Sequence, residues 1–312
     1  MTRIVDALRA RFGVGPVCRE IAFPQSTYWH RKLREREPST RVREDVVITA
    51  QISLVRTGRR WCYGQKRTWC ELLDAGVDVG RDRVARLMRA GGLVGVHRGR
   101  RHITTTPDHS ADRPVDLVDR DFTAAAPNHL WVADFTYLRT TGGFIYLAFV
   151  LDVYSRMIVG WQIASHRRAS LVTDALEMAV ALRQPPPGLV AHTDAGSQYL
   201  SVAYTDKVAE HGMQPSVGTV GDALDNAMAE SWVATFKTEC IQGRILPGFE
   251  HAEHETLEWI GFYNTTRLHQ ALGYRSPVAY EQGLTRPARR RPFGPPGRAV
   301  QPALSGSAGR PG

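Results

Sequence analysis

GLVAHTDAGSQY, residues 188–199, is the stretch on which the fold turns. Its first four residues are apolar or small and strand-like, and the run ends on a carboxylate, Asp194. Two other segments share the oddity. LWVADFTYL, residues 130–138, is a buried-type strand interrupted by Asp134. GDALDNAMAES, residues 221–231, opens a helical pattern that carries Glu230 on its first turns. An unpaired carboxylate in an apolar strand is costly, so three of them ask for a common reason. A pair of bound divalent cations supplies one, because hard cations take carboxylate oxygens and one carboxylate can bridge two ions. Fifty-nine residues separate Asp134 from Asp194, and 35 separate Asp194 from Glu230.

Working outward, the pattern around these acids is α/β. Residues 130–138, 144–153 and 157–163 read as three strands joined by the turns Thr141-Gly142-Gly143 and Tyr154-Ser155-Arg156, an antiparallel meander. Residues 171–182 follow as an amphipathic helix with Leu171, Ala175, Met178 and Leu182 on one stripe, stopped by Pro185-Pro186-Pro187-Gly188. Residues 189–192 are a fourth strand, 199–210 a helix and 213–217 a fifth strand. A helix then runs from Asp225 to about Glu239, with Ala229, Val233, Phe236 and Cys240 inward; Glu230, Ala234 and Lys237 share another face. Lys237 is either a solvated lysine or a contact to a backbone phosphate. Asp152 reads as a turn-structuring acid, Asp222 and Asp225 as helix-start acids, and His192 as a packed histidine. Another helix covers 250–263.

Ahead of this core the chain is helical. Residues 4–12 and 17–23 are short helical pieces, and Ser26 is a candidate N-cap for a basic helix over 27–36 that faces either DNA or solvent. Residues 40–96 form a three-helix unit. Val42, Val46, Ile52 and Val55 mark its first apolar stripe; its third helix turns Val84, Leu87 and Met88 inward and Arg81, Arg83, Arg86 and Arg89 outward. A recognition helix in a major groove needs such a face. Residues 97–128, with His97, His102 and His109, read as a linker, and the Pro-, Gly- and Arg-rich residues 285–312 as a disordered basic tail. The resulting organisation is a helical segment (1–37), a helix-turn-helix-like region (38–96), a linker (97–128), a catalytic core (129–284) and the tail (285–312).

Charge follows this division. Residues 1–101 hold 22 Lys/Arg against 10 Asp/Glu, residues 102–284 hold 12 against 21, and residues 285–312 hold 6 and none. Basic ends attract phosphates through counterion release, while an acidic middle suits a cation site. Cys18, Cys62, Cys70 and Cys240 form no C-x-x-C pair, so they read as reduced, partly buried thiols rather than a zinc site. No apolar run reaches the length of a membrane span and no secretory pattern opens the chain, so the expected location is cytoplasmic.

The three acid-bearing segments, together with Tyr263-Asn264, Arg267, His269, Leu272-Gly273-Tyr274, Ser276-Pro277 and Tyr280-Glu281, resemble the Asp-Asp-Glu transposases and retroviral integrases. More narrowly, residues 40–284 look like the second-frame transposases of insertion sequences whose two frames are joined by frameshifting. The resemblance implies a ribonuclease-H-like core, a five-stranded mixed sheet with flanking helices, preceded by an all-α helix-turn-helix region. It implies that Asp134, Asp194 and Glu230 are catalytic and hold two Mg²⁺ or Mn²⁺ ions, with Asp134 bridging. Water cuts at the element ends, and the freed 3′-hydroxyl attacks target DNA without a covalent enzyme intermediate. Terminal inverted repeats, target DNA, further copies of the chain and an upstream-frame protein are the implied partners, in the bacterial nucleoid. Ala195 stands where many relatives carry a polar or charged residue, and no heptad repeat is present. Two other readings are a silent DNA-binding remnant acting as a repressor and a structure-specific nuclease of the same fold.

Overall fold

The computed structural model describes residues 1–96, 114–119, 121–218 and 226–284. His97, His102 and His109, the helix-start acids Asp222 and Asp225, and the tail 285–312 lie outside the described residues. Three short helices come first: α1 (Thr2–Phe12), α2 (Val14–Glu20) and α3 (Gln25–Arg36). They share a small core of Val5, Val17, Cys18 and Tyr28. The cap expected at Ser26 is absent. Pro24, at φ −56°, is the N-cap, and Ser26 sits inside the first turn; a proline at that φ already favours entry into a helix.

Helices α4 (Thr40–Val55), α5 (Gln65–Asp74) and α6 (Arg81–Ala90) make the next unit. The apolar stripe differs from the sequence expectation. Ile48 and Ile52 are buried, whereas Val46 is 66% exposed and Val42 is exposed too. Charge explains which face turns in. Asp45 on α4 receives hydrogen bonds from Arg83 Nε (2.8 Å) and Arg86 Nη2 (2.7 Å) on α6, and Glu44 receives one from Arg83 Nη2 (3.0 Å). These pairs lock α4 with the Asp45–Ile48–Ile52 side against its neighbours. Val84, Leu87 and Met88 of α6 are buried as expected.

The sheet follows: β1 (Leu130–Thr140), β2 (Gly143–Asp152) and β3 (Ile158–Ala164), then α7 (Ala169–Arg183), β4 (Val190–Thr193), α8 (Val202–Glu210) and β5 (Gln214–Val217). Its order is β3-β2-β1-β4-β5. β1 pairs antiparallel with β2 and parallel with β4, and β4 pairs parallel with β5. This is the mixed five-stranded, ribonuclease-H-like sheet expected from the sequence. Tyr199, expected to start a helix, lies in the turn before α8, where Ser201 Oγ caps the Tyr204 N–H at 3.3 Å.

Alternation along the strands divides the core in two. Trp131 and Ala133 of β1, with Ala148 and Val150 of β2, face α7 and α8. Leu130, Val132 and Leu138, with Leu147, Phe149 and Leu151, face α9 (Ala227–Phe236) and α10 (Phe249–Thr265). On the first face α7 sits very close to β3. A Cβ at Gly160 would fall on the Ala175 carbonyl and stand 2.8 Å from Ala179 Cβ. That approach uses Leu171, Val172, Ala175, Leu176 and Ala179; Met178 and Leu182, expected on the stripe, are exposed. On the second face Trp232 of α9 lies at the centre, against Phe149, Phe236, Trp259 and Tyr263, while Val233 is only partly buried. α9 continues as one wide turn over Lys237–Ile241.

The helical unit is joined to the core. Leu268 is buried with Ile48, Ile52 and Met88, and Phe262 and Tyr274 pack on the same cluster. Leu268 N–H donates to the Tyr63 hydroxyl at 2.9 Å, and Arg59 pairs with Glu258 at 2.7 Å. A last short helix, α11 (Pro277–Glu281), is capped by Ser276 and tied to α7 by Arg183 and Glu281. The segment just before β1, read as linker, is also packed. Val118 is buried in the second core and Leu117 N–H donates to Ser216 Oγ.

Candidate active site

Strand register brings the first two acids together. The last parallel pair between β1 and β4 is Ala133 with Thr193, so the next residue on each strand is Asp134 and Asp194. Residues opposite one another in parallel strands face the same side of the sheet. Even positions of β1 face α9, which puts Asp134 under the helix that carries Glu230. Asp134 thus lies within β1 where its parallel pairing with β4 stops, and Asp194 follows the carboxyl end of β4.

The electrostatics agree with the register. Burial pushes the Asp134 carboxyl well above the usual carboxylate range, and the charges of Asp194 and Glu230 push it further; the Phe135 N–H and Lys237 oppose them. Asp194 is also raised, by burial first and further by the charge of Glu230, while the Gly196 N–H and His192 oppose them. The three acids of the sequence reading therefore share one field. Asp134 Oδ1 accepts from the Phe135 N–H at 2.7 Å and Asp194 Oδ1 from the Gly196 N–H at 3.1 Å. Gly196 lets the loop turn this tightly, since a Cβ there would stand 2.9 Å from Asp194 Oδ1.

Among the described residues no three His, Cys, Asp or Glu side chains form a finished cage for a metal ion. The donor set nonetheless fits divalent cations. It consists of carboxylates, the ligand type of hard cations. It is half-buried, and its mutual repulsion is what a cation relieves.

The surroundings are specific. Lys237 stands with its ammonium 4.4 Å from the centre of the Tyr137 ring, within reach of the Asp134 charge. Tyr199 is buried beside Asp134 and Asp194, and its hydroxyl has no hydrogen-bond partner among the described residues. Asn226, one turn before Glu230, is the N-cap position of α9. His192 is packed, as expected: its Nδ1 lies 2.9 Å from Ser216 Oγ and its ring stands edge-on to Phe122. Asp152 is buried and holds the β2–β3 turn by accepting from the Ser155 N–H, Ser155 Oγ and Asn128 N–H.

The basic face of α6 is less free than its sequence suggests. Arg83 and Arg86 are tied to Asp45 and Glu44, and Arg81 pairs with Asp82. Arg89 is an exposed residue in the last turn. The carboxylates of α4 gave no sign of this from sequence, because they lie about forty residues from the arginines they bind. Cys18, Cys62, Cys70 and Cys240 are buried and form no disulfide, and burial pushes the Cys62 and Cys240 thiols up to about 12. No helix among the described residues is long and apolar enough to cross a membrane.

Comparison with known proteins follows the same division. The integrase core domain family matches residues 124–223, a second integrase core domain family matches residues 211–277, and an HTH-like domain family matches residues 43–101. The chain is 41% identical to the transposase for insertion sequence element IS629 of Shigella sonnei, over 90% of this chain and 96% of that protein. It is 43% identical to a protein of insertion sequence element IS986/IS6110 of Mycobacterium tuberculosis, over 79% of this chain and 91% of the relative. Of solved structures, the HTLV-2 integrase catalytic core domain in complex with magnesium superposes on 51% of this chain and 99% of its own. The TM-score is 0.42 and the identity 15%.

Proposed function

The chain belongs to the insertion-sequence transposases built on an integrase core domain, and from that membership we propose that it cuts DNA at the element's ends and joins the freed 3′-hydroxyl to target DNA. One observation carries the reading. Asp134 and Asp194, far apart in sequence, stand next to one another where the β1–β4 pairing stops, and Asp134 faces the helix that carries Glu230.

Bound there, two Mg²⁺ or Mn²⁺ ions would activate the attacking oxygen and stabilise the leaving one. The chain's residues prepare the place. Asp134, Asp194 and Glu230 would hold the ions, and the Phe135 and Gly196 N–H groups fix the rotamers of the first two. Burial strengthens every charge interaction at the site. Lys237, beside Asp134, would meet a phosphate of the DNA strand being cut. No side-chain nucleophile is required. Arg81 and Arg89 are the α6 residues left to approach DNA, since Arg83 and Arg86 serve the packing of α4. The same reading includes several copies of the chain on DNA and cooperation with an upstream-frame protein.

The test uses the full chain with labelled element ends, a target plasmid and Mg²⁺. Joined products support strand transfer. Nicks without joining favour a nuclease, and a mobility shift without chemistry favours a repressor; either result removes the joining step.

A further inference from the structure

A second charged feature lies on another flank of α9. A cavity of about 380 Å³ opens between α9, the β2–β3 turn and the segment after α10. Its polar lining includes Arg67, Arg156, Arg267, His269, Ser231 and Thr235. Three guanidiniums thus converge on one hollow, drawn from the helical unit, the sheet and the carboxyl end of the core. Among the described residues no carboxylate lines it.

The three arginines are not equivalent. Arg267 is buried and spends its fork on Glu239, with two hydrogen bonds of 2.7 Å. Arg67 reaches the same Glu239 at 3.4 Å and lies over the Tyr63 ring. Arg156 has no side-chain hydrogen bond or ion pair among the described residues. Its position is nonetheless imposed. It takes φ 61°, a left-handed conformation uncommon for arginine, in a turn fixed by buried Asp152 and by its own N–H donating to the Asp152 carbonyl at 2.8 Å. A strained residue held by its surroundings and aimed into a cavity points to use. The field there is positive: burial and the neighbouring charges of Arg267, Arg67 and Arg156 hold the His269 imidazole well below its ordinary value, hence neutral.

We infer that this cavity binds one backbone phosphate of the DNA, with Arg156 as the principal contact and Arg67 and the hydroxyl-bearing flank of α9 beside it. The inference rests on the proposed DNA-joining function and adds a contact that positions the strand rather than reads its sequence. Glu230 and Ser231 are neighbours on α9 and face different sides, so one strand crossing the start of that helix meets both the carboxylates and the cavity. A planar guanidinium with a free fork suits a phosphate, and a phosphate contact fixes the strand without reading its sequence.

The test is Arg156→Asn in the full chain. Asparagine tolerates a left-handed backbone, so the turn is kept while the charge is lost. A thermal melt confirms that the variant folds, and Arg156→Lys restores a charge. Binding to a duplex carrying the element's end and to an unrelated duplex is measured from low to high salt. For one lost phosphate, counterion release gives a log–log salt slope shallower by about 0.9 and roughly fivefold weaker binding near 0.15 M salt, alike on both duplexes. The Lys variant recovers most of the slope. An unchanged affinity and slope in a folded Arg156→Asn protein overturns the phosphate site while leaving the DNA reading intact. A loss confined to the element's end also overturns it, because that would be base readout. A wild-type chain that binds neither duplex overturns the underlying function and this site with it.

Discussion

Replacing Arg267 by methionine removes the guanidinium that satisfies Glu239. The two side chains are only 5% and 10% exposed, and both hydrogen bonds are 2.7 Å long. Burial alone would push the Glu239 carboxyl up; the Arg267 hydrogen bonds and charge, helped by Arg67, bring it below its ordinary value. Removing one partner of a buried pair costs about 3–5 kcal/mol. Arg67 stays 3.4 Å from Glu239 and retains part of the compensation, so the expected loss is about 3 kcal/mol, or roughly 6 °C in the melting temperature. Urea denaturation of wild type, Arg267→Met, Glu239→Leu and the double variant gives the coupling, with the double variant recovering most of the loss. The pH dependence has a defined sign. A depressed carboxylate contributes stability above its unfolded value, near 4.5, and loses it as pH falls below that. In Arg267→Met the carboxylate keeps mainly its burial penalty, which is relieved as pH falls. The gap between the two proteins therefore narrows from pH 7 to pH 4. A loss below about 1 kcal/mol, the worth of a surface pair, or a gap constant across that range would refute the assignment of the pair as a buried electrostatic clamp.

Asp134→Asn, Asp194→Asn and Glu230→Gln each lower DNA joining by on the order of a thousandfold or more and leave end binding within about twofold in a mobility-shift assay; joining retained by any of them removes it from the site. Mg²⁺ raises the melting temperature of the wild type, by an amount corresponding to about 2.7 kcal/mol at a hundred times its dissociation constant, and has no such effect on Asp134→Asn. Without metal, the raised Asp134 carboxyl contributes stability that is full at low pH and lost as pH rises above its unfolded value of 3.8; calorimetry from pH 4 to 7 should show that decline in the wild type and less of it in Asp134→Asn. Gly160→Ala costs about 1–3 kcal/mol, because the added methyl meets the α7 backbone, and hydrogen exchange in α7 should quicken; unchanged protection there would mean the helix does not rest on β3.

The order of strands and helices was legible because period-two and helical patterns alternate cleanly from Leu130 to Val217. Asp134 and Asp194 stood out for a local reason: each follows apolar residues that promise burial. Glu230 stood out less, as one acid in a helix, and acquired its meaning from spacing and family resemblance. What stayed hidden depends on partners distant in sequence. Val42 and Val46 fit a helical stripe as well as Ile48 and Ile52 do, and the choice was made by Asp45 meeting Arg83 and Arg86 on another helix. Met178 and Leu182 are apolar and correctly spaced, yet α7 turns its small residues inward because Gly160 admits its backbone. The cavity around Arg156 draws on three separate regions, so no local pattern could have marked it.

The shared core at Leu268 has a consequence for reach. Residues 97–113 join the helical unit to the sheet along the chain, but Leu268, Phe262, Tyr63 and Arg59 join them through space. Packing, and not tether length, therefore sets the separation between the helix-turn-helix-like unit and the carboxylates. Two points on one nucleic acid gripped by such a body stand at a ruler's distance from each other, and an insertion between residues 97 and 113 would lengthen the chain without moving either mark.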